Sequence, residues 1–194
     1  MKKILFTFII LLSINLSADD HIKPEQGAFT SLYVSASDVD KYVSFLRKNS
    51  DAFKAIGSSD AGVCITRSGN QYPGQMMIWN AFPSVEAAMI GSLKYDPYKA
   101  TGPISNLRNI KHSTIWKSLK SFRLEPGHEI VGRFKVKQEN ISSFVKAMDS
   151  LEKEIQDNGH PDFFNGVFVS IAGGAESQTL KVRSITSSAS DQGK

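Results

Sequence analysis

Apolar positions along this chain follow two alternating periodicities. Residues 29–35 and 129–137 alternate apolar with polar side chains and are rich in β-branched or aromatic types, which predicts strands. Val39, Tyr42, Val43 and Leu46 follow i, i+3, i+4, i+7, as do Ile141, Phe144, Val145 and Met148. That spacing lays an apolar stripe along one helical face. Ser37 and Asp38 offer N-cap chemistry to the first helix, and Glu139 and Asn140 offer it to the second. Strands at 62–67 and 166–172 follow, then polar or Gly-containing turns, then strands at 76–82 and 178–185, so each unit closes a hairpin.

The two runs of elements are copies of one another. Leu32 and Val34 map onto Phe134 and Val136, and Val39, Tyr42, Val43, Leu46 and Phe53 map onto Ile141, Phe144, Val145, Met148 and Ile155. Gly62-Val63-Cys64-Ile65 meets Gly166-Val167-Phe168-Val169, and Gln75-Met76-Met77 meets Gln178-Thr179-Leu180. A duplication with a period near 103 accounts for all of these. The first unit continues: Pro83-Ser84 opens a second helix through about Lys94, an irregular stretch contains Pro97, Gly102 and Pro103, and a strand runs from about Ser113 to Phe122. The order β-α-β-β-α-β is the split βαβ, or ferredoxin-like, pattern. The second unit stops after β-α-β-β. Either the chain is a fragment, or that unit leaves an exposed sheet face and edge that call for a partner, pointing to a homo-oligomer.

Composition narrows the class. The 194 residues are 41% hydrophobic and 22% charged, which suits a globular protein and excludes disorder, collagen and coiled coil. Residues 1–18 read as a signal peptide: Lys2-Lys3, an apolar run from Ile4 to Leu12, and small residues up to Ala18. About 13 apolar residues fall short of the roughly 20 needed to span a bilayer, so export to a bacterial periplasm or beyond is expected, without stable membrane insertion. Removing two lysines and no acids from 23 basic and 19 acidic residues leaves 21 and 19, a net charge of +2. The basic residues form no stripe, which argues against nucleic acid as a partner. Cys64 is the single cysteine, so no intrachain disulfide forms, and a small buried hydrophobe is expected there.

One segment carries a family resemblance. Ile78-Trp79-Asn80-Ala81-Phe82-Pro83-Ser84-Val85-Glu86-Ala87-Ala88, then Leu93-Lys94-Tyr95-Asp96-Pro97-Tyr98-Lys99-Ala100, resemble the antibiotic-biosynthesis-monooxygenase-like family over roughly residues 28–123, with a weaker echo over 129–186. The resemblance implies an α+β fold in which tandem ferredoxin-like repeats form a dimeric-α/β-barrel-like pair of antiparallel sheets. The expected parts are a signal peptide (1–18), a flexible mature terminus (19–27), unit one (28–124), a linker (125–128), incomplete unit two (129–186) and a polar tail (187–194). The family's haem-degrading branch would need a Trp near Ser92, a His near Gly102 and an Asn on the first strand. All three are absent, so haem chemistry is not carried over. Other members act on polycyclic phenols without a cofactor.

Candidate chemistry is sparse. Trp79 is either a core residue or the aromatic wall of a sheet–helix pocket, with Asn80 pointing the other way, toward the inter-sheet space. The repeat matches Ile78 to Lys181 and Asn80 to Arg183. With Arg133 and Lys135, these basic side chains either converge on the barrel interior, where an anion would suit them, or face solvent. His112 and Trp116 follow a long loop, Tyr95 to Lys111, of the kind that often forms a lid. Trp79, Asn80, His112 and Trp116 are the expected ligand-binding set, with His112 as the candidate acid or base or else a surface histidine at a strand start. No histidine spacing suggests a side-chain metal site. Cleavage after Ala18 would expose Asp19-Asp20-His21, whose amine, amides and imidazole form a square-planar nitrogen set for Cu(II), against the alternative of a plain polar terminus. The expected function is binding of a small organic molecule, without a clear catalytic constellation. The alternatives are a cofactor-independent monooxygenase-like enzyme on an aromatic substrate, and an interaction module with a packed barrel.

Overall fold

The computed structural model describes residues 21–22, 27–172 and 174–194. Its elements in chain order are β1 (His21–Ile22), β2 (Ala28–Ala36), α1 (Val39–Lys48), α2 (Asp51–Ala55), β3 (Asp60–Ile65), β4 (Gln75–Phe82), α3 (Val85–Lys94), α4 (Pro103–Leu107), β5 (Arg108–Ser118), β6 (Phe122–Arg123), β7 (His128–Phe134), α5 (Ile141–Asp157), β8 (Phe164–Ala172), β9 (Leu180–Thr186) and α6 (Ala189–Gln192). Unit one pairs its strands in the order β3-β4-β2-β5, and unit two in the order β8-β9-β7. The antiparallel pairing of β5 with β8 fuses them into one seven-stranded sheet. The expected α+β ferredoxin-like barrel fold is present, its two sheets being halves of a single curled one.

Local chemistry explains most element ends. The Asp38 carboxylate accepts from the Lys41 amide at 2.9 Å and starts α1, and the Ser84 hydroxyl accepts from the Ala87 amide at 3.0 Å and starts α3. Asn140 makes no such side-chain bond; a 3₁₀ turn over Gln138–Asn140 leads straight into α5. The amphipathic stripes land as expected. Tyr42 and Leu46 of α1 pack on Val34, Met76 and Ile78, while Ile141, Phe144, Val145 and Met148 of α5 pack on Val167, Leu180 and Val182.

Two expectations change. Unit one's last strand begins at Arg108, five residues before Ser113, because the loop ahead of it folds into a 3₁₀ turn (Pro97–Lys99) and α4. The 187–194 segment is not a featureless tail. Ser188 accepts from the Asp191 amide and caps α6, a single helical turn. The signal-peptide residues, Asp19 and Asp20 lie outside the described residues. His21 and Ile22 form β1, pairing with Arg123 and Phe122.

Candidate functional site

Register decides which side chains meet. Ser31 of β2 pairs with Trp79 of β4, and Arg133 of β7 pairs with Lys181 of β9. From 31 to 133 and from 79 to 181 the step is 102 in both cases, so Trp79 corresponds to Lys181, Ala81 to Arg183, and Asn80 to Val182. The expected match of Asn80 to Arg183 and Ile78 to Lys181 is one residue out. In a strand, one residue inverts the face. Trp79 therefore faces the barrel interior rather than a sheet–helix pocket, and Asn80 faces the helices rather than the inter-sheet space.

The interior is filled by the protein's own side chains. Phe29, Trp116, Phe122, Phe168 and Ile185 form a buried cluster with Trp79 against it. Phe29 stacks on Trp116 at 6.1 Å, and Phe168 stands edge-on to Phe29 and Phe122 at 4.7 and 5.4 Å. Gly62, opposite Trp79, and Gly166, opposite Arg183, serve the same end. A Cβ on Gly62 would sit 2.5 Å from the Trp79 ring, and one on Gly166 would sit 2.3 Å from Phe122, so each glycine leaves room for an aromatic to cross its strand.

Beside these rings lies a charged layer. Arg183 Nε donates to Glu129 Oε1 at 2.8 Å, and Arg133 Nε donates to both oxygens of Glu176 at 3.0 Å. Arg133 also reaches the Tyr33 hydroxyl at 3.1 Å. Lys181, with no exposed surface, donates to Tyr33 at 2.5 Å and sits 3.9 Å over the Trp116 ring. Among the described residues, no carboxylate pairs with it. The rings favour an ammonium, yet complete burial with a hydroxyl and the Met77 sulfur as its contacts outweighs them, holding the amine well below its ordinary range. Burial likewise pushes the Cys64 thiol up to about 12, with Glu129 adding to the effect, so it stays protonated at neutral pH. Lys181 and Arg183 are buried inside, Arg133 joins them from an exposed position at the margin of the layer, and Lys135 is exposed. Glu129 and Glu176 already occupy the arginines, so the layer presents no vacant anion site.

His112 stacks on Tyr33 at 4.4 Å, with Nε2 3.5 Å from Glu176 Oε1 and without a hydrogen bond to it. Burial lowers the imidazole below its ordinary value, against the pull of Glu176. Trp116 is completely buried and donates from Nε1 to Ser31 at 2.8 Å. Neither His112 nor Trp116 lines the sheet–helix cavity of unit one. Among the described residues, no group of three or more His, Cys, Asp or Glu could hold a metal, and no helix is long and apolar enough to cross a membrane.

The cavity lies on the other face of unit one. It occupies about 610 Å³ between β2, β4 and β5 on one side and α1, α2, α3 and the 95–107 segment on the other. That volume lies within the ordinary range for a small-molecule site. Its walls are Leu32, Phe45, Phe53, Ile56, Ile78 and Phe82; its floor carries the uncharged polar groups of Thr30, Asn80 and Ser113. Asn80 Nδ2 donates to Thr30 Oγ1 at 3.4 Å, and Asn80 Oδ1 is buried without a partner. At the rim, Arg108 donates to the hydroxyls of Tyr42 at 2.8 Å and Tyr95 at 2.6 Å. Of the expected ligand-binding set, only Asn80 lines this space. Thr30, Tyr95, Arg108 and Ser113 were missed. The long 95–111 loop was a sequence signal for Tyr95 and Arg108 alone, because contacts such as Arg108 with Tyr42 span 66 residues and Thr30 and Ser113 lie outside the loop.

No protein-family model and no curated protein matches the chain. Solved structures do. A crystal structure of an anthrone oxidase-like protein matches with a TM-score of 0.56 at 13% identity, over 89% of this chain and 78% of that one. A candidate monooxygenase from Lactobacillus acidophilus NCFM matches with a TM-score of 0.55 at 10% identity, over 87% and 80%. A candidate chlorite dismutase matches with a TM-score of 0.51 at 12% identity, over 87% and 82%. At these identities the likeness is one of fold. The chain has the dimeric α/β-barrel fold of these structures, with both of its repeats on one polypeptide.

Proposed function

We propose that this is an exported protein that binds a small, uncharged, largely apolar organic molecule in the sheet–helix cavity of unit one. The observation carrying this is the contrast between the cavity's two polar zones and its apolar walls. The floor has an amide and two hydroxyls but no charge. At the rim, Arg108 is engaged by two tyrosine hydroxyls, and Asp96 caps the Tyr98 amide at 3.0 Å and pairs with Lys99 at 3.3 Å. A carboxylate or phosphate on the floor would lose its hydration with no cation beside it, because Arg108 lies at the rim and its N–H groups already donate to Tyr42 and Tyr95. A hydroxyl-bearing ring system would bury its body against Phe45, Phe53 and Phe82 and engage the Asn80 amide. Export rests on the sequence pattern of residues 1–18, and Cu(II) at Asp19-Asp20-His21 rests in turn on cleavage after Ala18. N-terminal sequencing followed by Cu(II) titration of the His21→Ala variant tests both; unchanged affinity removes the copper site.

Calorimetric titration with 2-naphthol, naphthalene and 2-naphthoate tests the cavity. The naphthol should bind most tightly and the naphthoate least; equal binding of the anion refutes the reading. A second reading, a cofactor-independent monooxygenase-like enzyme on an aromatic substrate, is supported by the fold shared with the candidate monooxygenase and the anthrone oxidase-like protein. Oxygen consumption dependent on both the phenol and an intact Asn80 would establish it; a chain that binds the phenol without consuming oxygen is a binding protein.

A further inference from the structure

Access to the cavity is controlled by a segment that is tied down at its ends and bare in its middle. Asp96, Pro97, Tyr98, Ala100, Thr101 and Ile104 cover one side of the mouth. The start of the segment is pinned where Tyr95 ends α3, and its far end where the Leu107 carbonyl accepts from the Ser37 amide at 3.2 Å and the buried Leu107 side chain joins the α1 core. Ile104 adds partial packing to that core. Between them, the backbone hydrogen bonds found are local ones, Lys99 to Asp96 and Ser105 to Gly102, and Gly102 adopts φ +78° with nothing within 4 Å of its Cβ position. Such a segment has low local stability while its anchors hold.

One side chain bridges the two anchors. Arg108, the first residue of β5, reaches Tyr95 at the near end of the segment and Tyr42 on α1, whose ring lies 5.9 Å from the guanidinium. Its fork therefore joins α1, the end of α3 and β5 across the rim of the cavity, and Tyr95 and Arg108 both line that cavity. We propose that Arg108 is a clasp on a lid formed by residues 96–107, and that release of its contact with Tyr95 limits exchange of a ligand with the cavity. This rests on the binding reading above for its purpose, though not for its test. Arg108 is a positioning residue here: it shapes access and engages no ligand charge.

Hydrogen exchange followed by mass spectrometry on the intact chain tests the clasp without any ligand. Tyr95→Phe removes one hydroxyl, and Arg108→Lys replaces the two-pronged fork with a point donor. Both should speed amide exchange across 96–107 by about tenfold, as expected for loss of one hydrogen bond to a charged group, and leave β8 and β9 unchanged. Lys146→Ala, at an exposed position of α5 in the other unit, should change nothing. Unchanged exchange in 96–107 for both clasp variants overturns the proposal, as does an equal rise throughout the molecule. Stopped-flow mixing with 2-naphthol adds the functional side: association and dissociation should both accelerate about tenfold, with the dissociation constant changed less than about threefold. A proportional loss of affinity with unchanged association would overturn the gating role. Altered exchange together with no naphthol binding by the parent protein would leave the clasp in place and refute the ligand-binding reading instead.

Discussion

The two repeats place the same strands under opposite loads. On the helix-facing side, unit one is hollow and unit two is filled. Asn80 and Ile78 look into a cavity, whereas their counterparts Val182 and Leu180 pack tightly beneath α5. On the barrel-facing side the chemistry is exchanged again. Trp79 and Ala81 give unit one an apolar inner surface, and Lys181 and Arg183 give unit two a charged one. Cover differs too. Ala28 is fully buried in the α3 cluster, while Ile130, the equivalent residue of unit two, is 56% exposed, because α6 supplies a single turn where unit one has a ten-residue helix. Duplicated backbones thus keep their hydrogen-bond pattern while side chains divide the work. One copy keeps an open cavity, and the other supplies the ionic layer beside the aromatic cluster inside the barrel.

Substitutions can break this division or invert it. The largest effect belongs to Glu129→Ala, which strands the Arg183 guanidinium at 3% exposure with no countercharge; a loss of about 3–5 kcal/mol in denaturant unfolding is expected. Loss below about 1 kcal/mol would mean the barrel opens readily to water. Val182→Asn makes unit two imitate unit one. It buries an amide in a packed apolar cluster and should cost about 1–3 kcal/mol by the same assay.

Lys181→Met should leave stability near pH 7 unchanged or raise it by up to about 2 kcal/mol. Its sharper signature is pH dependence. Burial holds the folded amine well below 10.5, so over that window the unfolded chain binds the extra proton and stability rises with pH. The parent should lose stability as pH falls from about 10.5 toward the lowered value, and Lys181→Met should remove that slope; equal slopes would show that Lys181 enters the fold charged. The smallest change is the reciprocal swap, Asn80→Val. It removes an unpartnered amide oxygen from a cavity wall and should shift stability by less than about 1 kcal/mol, upward, while abolishing the preference for 2-naphthol over naphthalene.

Much of the fold was legible because it rests on local periodicity. The stripes at 39, 42, 43, 46 and at 141, 144, 145, 148 could bury only one helical face, and Asp38 and Ser84 cap where short polar side chains should. The duplication was visible for the same reason: two helices and their flanking strands kept one spacing. The site was legible only at its edges. Asn80 was named but assigned to the wrong face, and the 95–111 loop was marked as a lid without Arg108, its clasp.

The sequence by itself determined the pair of ferredoxin-like units, their order of elements and the lack of a recurring metal or nucleophile spacing. Only the tertiary structure decided which face of β4 and β9 lies inside the barrel. The two faces of a strand differ by a single residue of register, and here both carry apolar and polar side chains, so alternation alone has no preferred sign. The β5–β8 joint and the curl of the sheet supply that sign. They press Trp79 and Lys181 inward together and leave Asn80 beside the cavity.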